Sequence, residues 1–357
     1  MNEFKNIIKN LLDNYFLYYI DKVRGCPNLD NGFIEVKPTN TDYIHEEGRM
    51  SLLGERKRVL LPDGQWQKYR PEGELQKRNG RDKIACVTFS SLNVIEELIR
   101  FMMDSNDEEH IEIVKILKHF GIIKDGKVNC SDRAIAKLSG TTRRGNSFKR
   151  VAQTIHKYLL IPEEDYAWVD NWNDYYKPVL KNLIEQGEEL GKYIEINYEW
   201  VYPKEFNEIK RYGPHTTSVF AGGRWNTSDI IPRTNQRHNH ATGSDGFEMN
   251  KYDDIFDSYN PFGKRVAWNY GLGMGMQFTI SLKKKLPNLR QKLLNDGYEW
   301  VIRAEQEKGA KGEAYDIETD KLIYLPPADL IQNTVKEKSI QGKIKFITEE
   351  EFKQLNN

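Results

Sequence analysis

Residues 85–103 are apolar on nearly every side, and this constrains the chain more than any other segment. Phe89, Leu92, Ile95, Ile99 and Met102 form one stripe at helical spacing, and Val87, Val94, Leu98 and Phe101 fill the opposite side. A helix without a polar face cannot lie on a surface, so this one belongs in the middle of the molecule. Cys86 stands at its N-terminal end. The first-turn N–H groups and macrodipole of a helix favour a thiolate there.

What surrounds this helix must be a soluble, ordinary core. The chain has 357 residues, a hydrophobic fraction of 38% and an aromatic fraction of 11%, enough for one large domain or two ordinary ones. Lys+Arg and Asp+Glu each total 53, so the net charge is zero and no strongly basic nucleic-acid footprint is present. Mean hydropathy is −0.72. No apolar run approaches the roughly 18 residues a membrane span needs, and the amphipathic N-terminus lacks an apolar h-region, so neither a membrane segment nor a signal peptide is expected. Three cysteines, Cys26, Cys86 and Cys130, make no disulfide framework and suggest a reducing setting.

Around the central helix the first half reads as mainly α. Helices are expected near residues 3–24, 109–120, 131–138, 147–158 and 175–191, with residues 28–80 extended and turn-rich, including a Leu61-Pro62-Asp63-Gly64 turn. The pattern then turns to β. Strands are expected at 193–201, 218–221, 238–242, 254–258 and 276–282. Residues 283–357 are rich in lysine and glutamate, with a helix expected near 289–303, a hairpin near 314–325, and a final helix opened by a Thr348/Glu351 capping box.

A thiol nucleophile needs a base in reach and donors for the oxyanion. His240 lies in the β half, in Asn239-His240-Ala241, and Asp257 follows seventeen residues later, able to accept a hydrogen bond from the second ring nitrogen. His238 and His240 would share a strand face at metal-like spacing. No third ligand accompanies them, so a zinc site is the lesser reading. Cys86 could also be a buried core thiol, and Cys26 and Cys130 read as structural.

Several short motifs stand in one order. Ala85-Cys86-Val87-Thr88-Phe89-Ser90 resembles the Cys-Trp-Ala-Phe-Ser helix start of papain-like cysteine peptidases, with Cys, Phe and Ser at the same offsets. Ser131-Asp132-Arg133 is similar to that family's Ser-Glu-Gln segment, and Glu163-Glu164-Asp165-Tyr166 to its Glu-Glu-Ser-Tyr. Gly213-Pro214 before Ser218-Val219, His240-Ala241, and Asp257-Ser258-Tyr259 resemble its Gly-Pro-Val-Ser-Val, His-Ala and Asn-Ser-Trp. The resemblance covers about residues 65–282.

It implies an α+β, papain-like two-lobed fold, with a helical lobe carrying Cys86 and a β-barrel-like lobe carrying His240 and Asp257. Segment 1–60 would be a helix and extended stretch, either a packing element or a propeptide-like cover; 61–282 the peptidase domain; 283–357 an accessory α+β segment. The implied activity is peptide hydrolysis through an acyl-enzyme, with a protein or peptide substrate and neither cofactor nor metal. By the resemblance, Gly145 and Asn146 would anchor substrate backbone, and Trp268 could shield the Asp257–His240 bond. Gln76 would supply the oxyanion donor, although it lies ten residues before Cys86 where the family has six. Asp257 stands where the family usually has Asn, and a carboxylate would favour imidazolium more strongly. The missing signal and disulfides resemble intracellular members, giving a cytoplasmic or virion-associated location. A degenerate papain fold used for binding and an acyl transferase with the same residues are the alternatives.

Overall fold

The computed structural model describes residues 32–39, 42, 58–283, 293, 296–303, 313–316, 321–324 and 341–347. The helix expected near 3–24, Cys26, and the Thr348/Glu351 capping box lie outside these residues. By backbone contacts the chain divides into two compact units, Met1–Lys283 and Lys284–Asn357.

The first unit is α+β. Five helices lead: α1 (Cys86–Met103), α2 (Glu108–His119), α3 (Asp132–Leu138), α4 (Phe148–Tyr158) and α5 (Lys181–Leu190). Asp107 caps α2 by accepting from the N–H groups of Glu109 and His110, and the Ser131 hydroxyl caps α3 through Ala134. The expected 175–191 helix is shorter than its pattern. Trp172–Tyr175 makes one turn, Pro178 follows, and α5 starts only at Lys181.

Six strands then form one antiparallel sheet: β1 (Ile194–Val201), β2 (His215–Val219), β3 (His240–Glu248), β4 (Tyr252–Phe256), β5 (Gly263–Ala267) and β6 (Gly275–Leu282). Their order across the sheet is β1-β6-β2-β3-β4-β5. β5 is the strand the sequence hid, because Gly263-Lys264-Arg265 interrupts its apolar pattern. It pairs with β4 from Gly263↔Phe256 to Ala267↔Tyr252.

Helix α1 is the hub. It touches β2, β3 and β6 of the sheet and helices α2, α3 and α4. Close approach to β3 depends on Gly243, where a Cβ would stand 3.2 Å from Val94 Cγ1. Leu92, Ile95, Leu98 and Ile99 are buried in the main core with Phe148, Val151, Ile155, Ile196 and Phe278. Two buried carboxyls depart from the apolar reading. Glu96 accepts from the Cys130 N–H at 2.7 Å, and burial pushes its acid up to about 8. Burial likewise lifts Glu97 well above the usual range, with Asp245 beside it adding to the rise. Asp245 is held by Arg70, whose Nη2 donates at 2.8 Å and whose Nε also donates to it.

In the second unit, β7 (Trp300–Arg303), β8 (Glu313–Asp316), β9 (Lys321–Tyr324) and β10 (Ile344–Ile347) form a sheet in the order β9-β8-β7-β10. The hairpin expected near 314–325 is β8–β9. The end of the helix expected near 289–303 is instead strand β7, which pairs with β8 antiparallel and with β10 parallel. Trp300-Val301-Ile302 has the β-branched and aromatic character that fits a strand.

Glu96 gives a testable pH dependence. Its folded pKa lies above the unfolded value of about 4.3, so its contribution to stability is full below that value and falls as pH rises towards about 8. Glu96→Gln, which keeps the acceptor for Cys130, should flatten this fall. Thermal unfolding at pH 5 and pH 8 reads it: the variant gains on the parent at pH 8, and equal slopes would contradict the assignment.

Candidate active site

Cys86 is the first residue of α1. The chain enters the helix through Ile84, whose φ of 56° is an unusual left-handed conformation for a β-branched residue. Its N–H is held by Asp82 Oδ1 at 2.8 Å. The backbone is therefore constrained just where the cysteine emerges.

His240 opens β3, and Asp257 directly follows the end of β4. Antiparallel pairing of these strands, with Gly243 opposite Phe256, brings the two residues together although seventeen positions separate them. His240 Nε2 donates to Asp257 Oδ1 at 2.7 Å. The Cys86 sulfur lies near enough to the same imidazole to help hold a proton on it. Cys86 and His240 are 0% exposed and Asp257 1%. Burial alone would push the imidazole down; the Asp257 carboxylate, and then the Cys86 sulfur, overcome it and lift His240 to about 10. Burial would raise Asp257, but His240 and then Lys264 hold it down at about 2. The three residues singled out in the sequence are thus brought together and buried, with His240 and Asp257 as an ion pair.

The frame around them was only partly legible. Asp257 Oδ2 accepts from Trp225 Nε1 at 2.7 Å and from Lys264 Nζ at 2.8 Å. Trp225 is buried, with its ring 5.9 Å from that of His240 and nearly perpendicular to it. Trp268, named from the sequence for the shielding place, packs on Phe247 instead. Neither Trp225 nor Lys264 was found from the sequence. One lies in an irregular loop, and the other in the strand whose pattern was obscured. A lysine seven residues after a candidate acid was the available signal.

Gln76 is brought to the site, but in a different role from the expected one. Its Nε2 donates to Tyr259 Oη at 2.6 Å and Asp82 Oδ1 at 3.1 Å, and its Oε1 accepts from Ser258 Oγ at 2.9 Å. Both amide hydrogens are therefore committed to the frame, with none turned to an oxyanion in this arrangement. The Tyr259 ring lies 5.2 Å from that of His240, and its hydroxyl donates to Asp82. The extra residues between Gln76 and Cys86 form a small hairpin, Lys77–Arg78 against Arg81–Asp82. His238 turns elsewhere: its Nδ1 is 2.9 Å from Ser218 Oγ, and its Nε2 is 2.8 Å from Gly271 O. Among the described residues no three His, Cys, Asp or Glu side chains are grouped to hold a metal. Cys130 is a buried thiol beside Glu96.

Gly145 and Asn146 do form a backbone-pairing edge, and the chain's own N-terminal segment occupies it. Asn146 N donates to Gly32 O, and Ile34 N to Asn146 O, both at 2.8 Å, making a parallel bridge between Phe33 and Asn146. Gly145 has φ 87°, and a Cβ there would lie 1.8 Å from Gly32 O. On its other side Gly32 crowds Ile84: a Cβ would stand 2.5 Å from Ile84 O. Phe33 stacks on Phe148 at 5.2 Å. Asp42 closes the strap with an ion pair to Lys149 at 2.7 Å. Phe33 and residues 35–39 also face Trp200, Tyr202, Ser218, His238 and Met274 across a cavity of about 530 Å³.

No protein-family model and no curated protein matches this chain. Among solved structures it is similar to the bromelain protease from Ananas comosus, at 15% identity and TM-score 0.40 over 61% of this chain and 98% of that one. It is similar to xylellain, a cysteine protease from Xylella fastidiosa, at 15% identity and TM-score 0.43 over 71% and 95%. A third is procathepsin B S9 from Trypanosoma congolense, at 10% identity and TM-score 0.43 over 71% and 88%.

Nitrogen-15 NMR of histidine-labelled protein tests the charged cluster. The His240 contribution to stability is complete below the unfolded value of about 6.5 and is lost as pH rises through about 10. His240 should therefore still be doubly protonated at pH 8. Titration between pH 6 and 7 would contradict the coupling to Asp257 and Cys86.

Proposed function

We propose that this chain is a divergent papain-like cysteine peptidase, with Cys86 as nucleophile, His240 as acid and base, and Asp257 as the group that orients it. The observation that carries the reading is the buried Cys86–His240–Asp257 cluster, with the sulfur at a helix N-terminus beside an imidazole that Asp257 holds protonated. An imidazolium beside a cysteine is the arrangement that generates a reactive thiolate.

In this reading the Cys86 thiolate attacks the carbonyl carbon of a peptide laid along Gly145–Asn146, where Gly32 and Phe33 now pair. The backbone N–H of Cys86 faces the developing oxyanion from the first turn of α1. His240 gives its proton to the leaving amine, and the C–N bond breaks to leave a thioester on Cys86. Neutral His240 then takes a proton from water, which attacks the thioester and releases the acid. Asp257 keeps the ring in one tautomer and orientation throughout. Gln76 supports Ser258 and Tyr259 beneath the ring rather than meeting the oxyanion.

The strap of residues 32–39, with Asp42, makes this a self-covered enzyme. It threads the narrow passage between Ile84 and Gly145, where a substrate backbone would pass, so turnover requires its displacement or removal. The N-terminal 60 residues then act as a propeptide-like cover, and residues 283–357 as an accessory segment outside the chemistry.

Three measurements test this. Cys86→Ala should lower kcat/KM on a peptide substrate by about 10⁴-fold or more; equal turnover by the variant would exclude Cys86 as nucleophile. Phe33→Ala removes the ring stacked on Phe148 and should raise full-chain activity roughly fivefold, equivalent to ~1 kcal/mol of lost burial. Mass spectrometry of incubated protein should show a new N-terminus within about residues 28–65. Unchanged mass together with full activity from the start would remove the covering role.

A further inference from the structure

The Asp257 carboxylate receives four donors, two on each oxygen. Oδ1 accepts from His240 Nε2 and from the Ser258 backbone N–H, both at 2.7 Å. Oδ2 accepts from Trp225 Nε1 at 2.7 Å and Lys264 Nζ at 2.8 Å. Lys264 sits on β5 with its side chain 2% exposed. Its other ammonium hydrogens go to Tyr259 O at 2.6 Å and to Pro261 O. An ammonium buried with two carbonyls and one carboxylate is satisfied as a cation and has no water to replace any of the three.

We propose that Lys264 is a positioning residue of the triad, which fixes Asp257 as a carboxylate in one orientation and thereby aims the His240 ring at the Cys86 sulfur. This deepens the peptidase reading and rests on it. It also explains why the orienting residue is Asp in this chain. An amide at 257 would turn its NH₂ either to the ammonium and the indole N–H or to the imidazole N–H and the Ser258 N–H. Each orientation sets two donors against a donor. With Lys264 and Trp225 in place only a carboxylate satisfies all four groups, so cation, indole and acid form one interdependent set.

The groups facing this set are His240 from β3, Cys86 from α1 through the ring, Asp82 from the Lys77–Asp82 hairpin, and Tyr259 from the β4–β5 loop. Of these, His240 and Lys264 hold Asp257 down. A carboxyl held low keeps its contribution above the unfolded value of about 3.9 and loses it as pH falls through about 2. Removing Lys264 takes away one of the two cations that oppose burial, so the loss moves to higher pH.

The test uses the full chain with Lys264→Met, Lys264→Gln and Asp257→Asn. The direct readout is the downfield proton resonance of His240 Nε2–H, followed from neutral pH downwards. In the parent it should persist to about pH 3, and in the Lys264 variants it should vanish at least about one pH unit higher. In the same full-length proteins, kcat should fall about tenfold or more with KM little changed, as expected for a group acting on the triad and not on substrate. Asp257→Asn should lose more activity than either Lys264 variant. In the Lys264→Met/Asp257→Asn pair the combined loss should be smaller than the product of the single losses, because the buried ammonium no longer lacks its counter-charge.

A parent resonance that persists to low pH and is unmoved in both Lys264 variants overturns the inference and leaves the triad standing. A parent without that resonance, and with an ordinary His240 titration, overturns the triad itself. If the Lys264 variants do not fold, Asp257→Asn still decides: near-parental activity there contradicts the requirement for a carboxylate.

Discussion

The His240–Asp257 hydrogen bond is the constraint on which the rest of the first unit depends. Both side chains are out of water, and a buried ion pair is tolerated only when the remaining lone pairs and protons also find partners. Asp257 meets that condition with four donors from three parts of the fold: β3, β5 and the Trp225 loop, besides its own neighbour Ser258. Those donors converge only if β3, β4 and β5 are adjacent and in register, which the antiparallel order β3-β4-β5 secures. The sulfur then has to arrive from the other side, on a helix stiff enough to hold it. That is what an almost wholly buried α1, packed on Gly243 of β3, supplies.

The same logic accounts for how much could be read from the residues alone. Periodicity revealed α1 because its apolar positions recur through more than four turns, and it revealed the strands whose β-branched and aromatic residues cluster. Cys86 and His240 stood out because cysteine and histidine are scarce, at 3 and 7 residues, and Asp257 because it follows His240 as an acid able to orient it. What stayed hidden is what depends on tertiary context. Lys264 sits on a strand that reads as polar, and in isolation it looks like any surface lysine. Glu96 and Glu97 on α1 read as a small polar interruption, whereas both are buried, Glu96 against the Cys130 N–H and Glu97 beside Asp245. Gln76 was correctly drawn to the neighbourhood, but the choice between oxyanion donor and structural brace is decided by Tyr259 and Asp82. Those residues are 183 and 6 positions away from it.

The backbone edge at Asn146 and the chain's own strap belong together. Gly32 fits between Ile84 and Gly145 only because neither glycine carries a Cβ: one on Gly32 would stand 2.5 Å from Ile84 O, and one on Gly145 1.8 Å from Gly32 O. The strap borrows the backbone pairing that Asn146 offers, adds the Phe33–Phe148 stack, and is pinned at its far end by Asp42 and Lys149. Each is a modest interaction, and together they hold the strap on the first unit. The constrained backbone at Ile84 lies under this crossing, so the geometry that presents Cys86 and the geometry that covers it share one residue.

The central claim is that one sulfur in this chain is the nucleophile. After the cover is removed, treating the protein with a peptidyl epoxide and mapping the adduct by peptide mass spectrometry addresses it directly. One adduct per chain is expected, on the peptide containing Cys86, with Cys130 unmodified. An adduct on another cysteine, or none on Cys86 in folded protein, would contradict it.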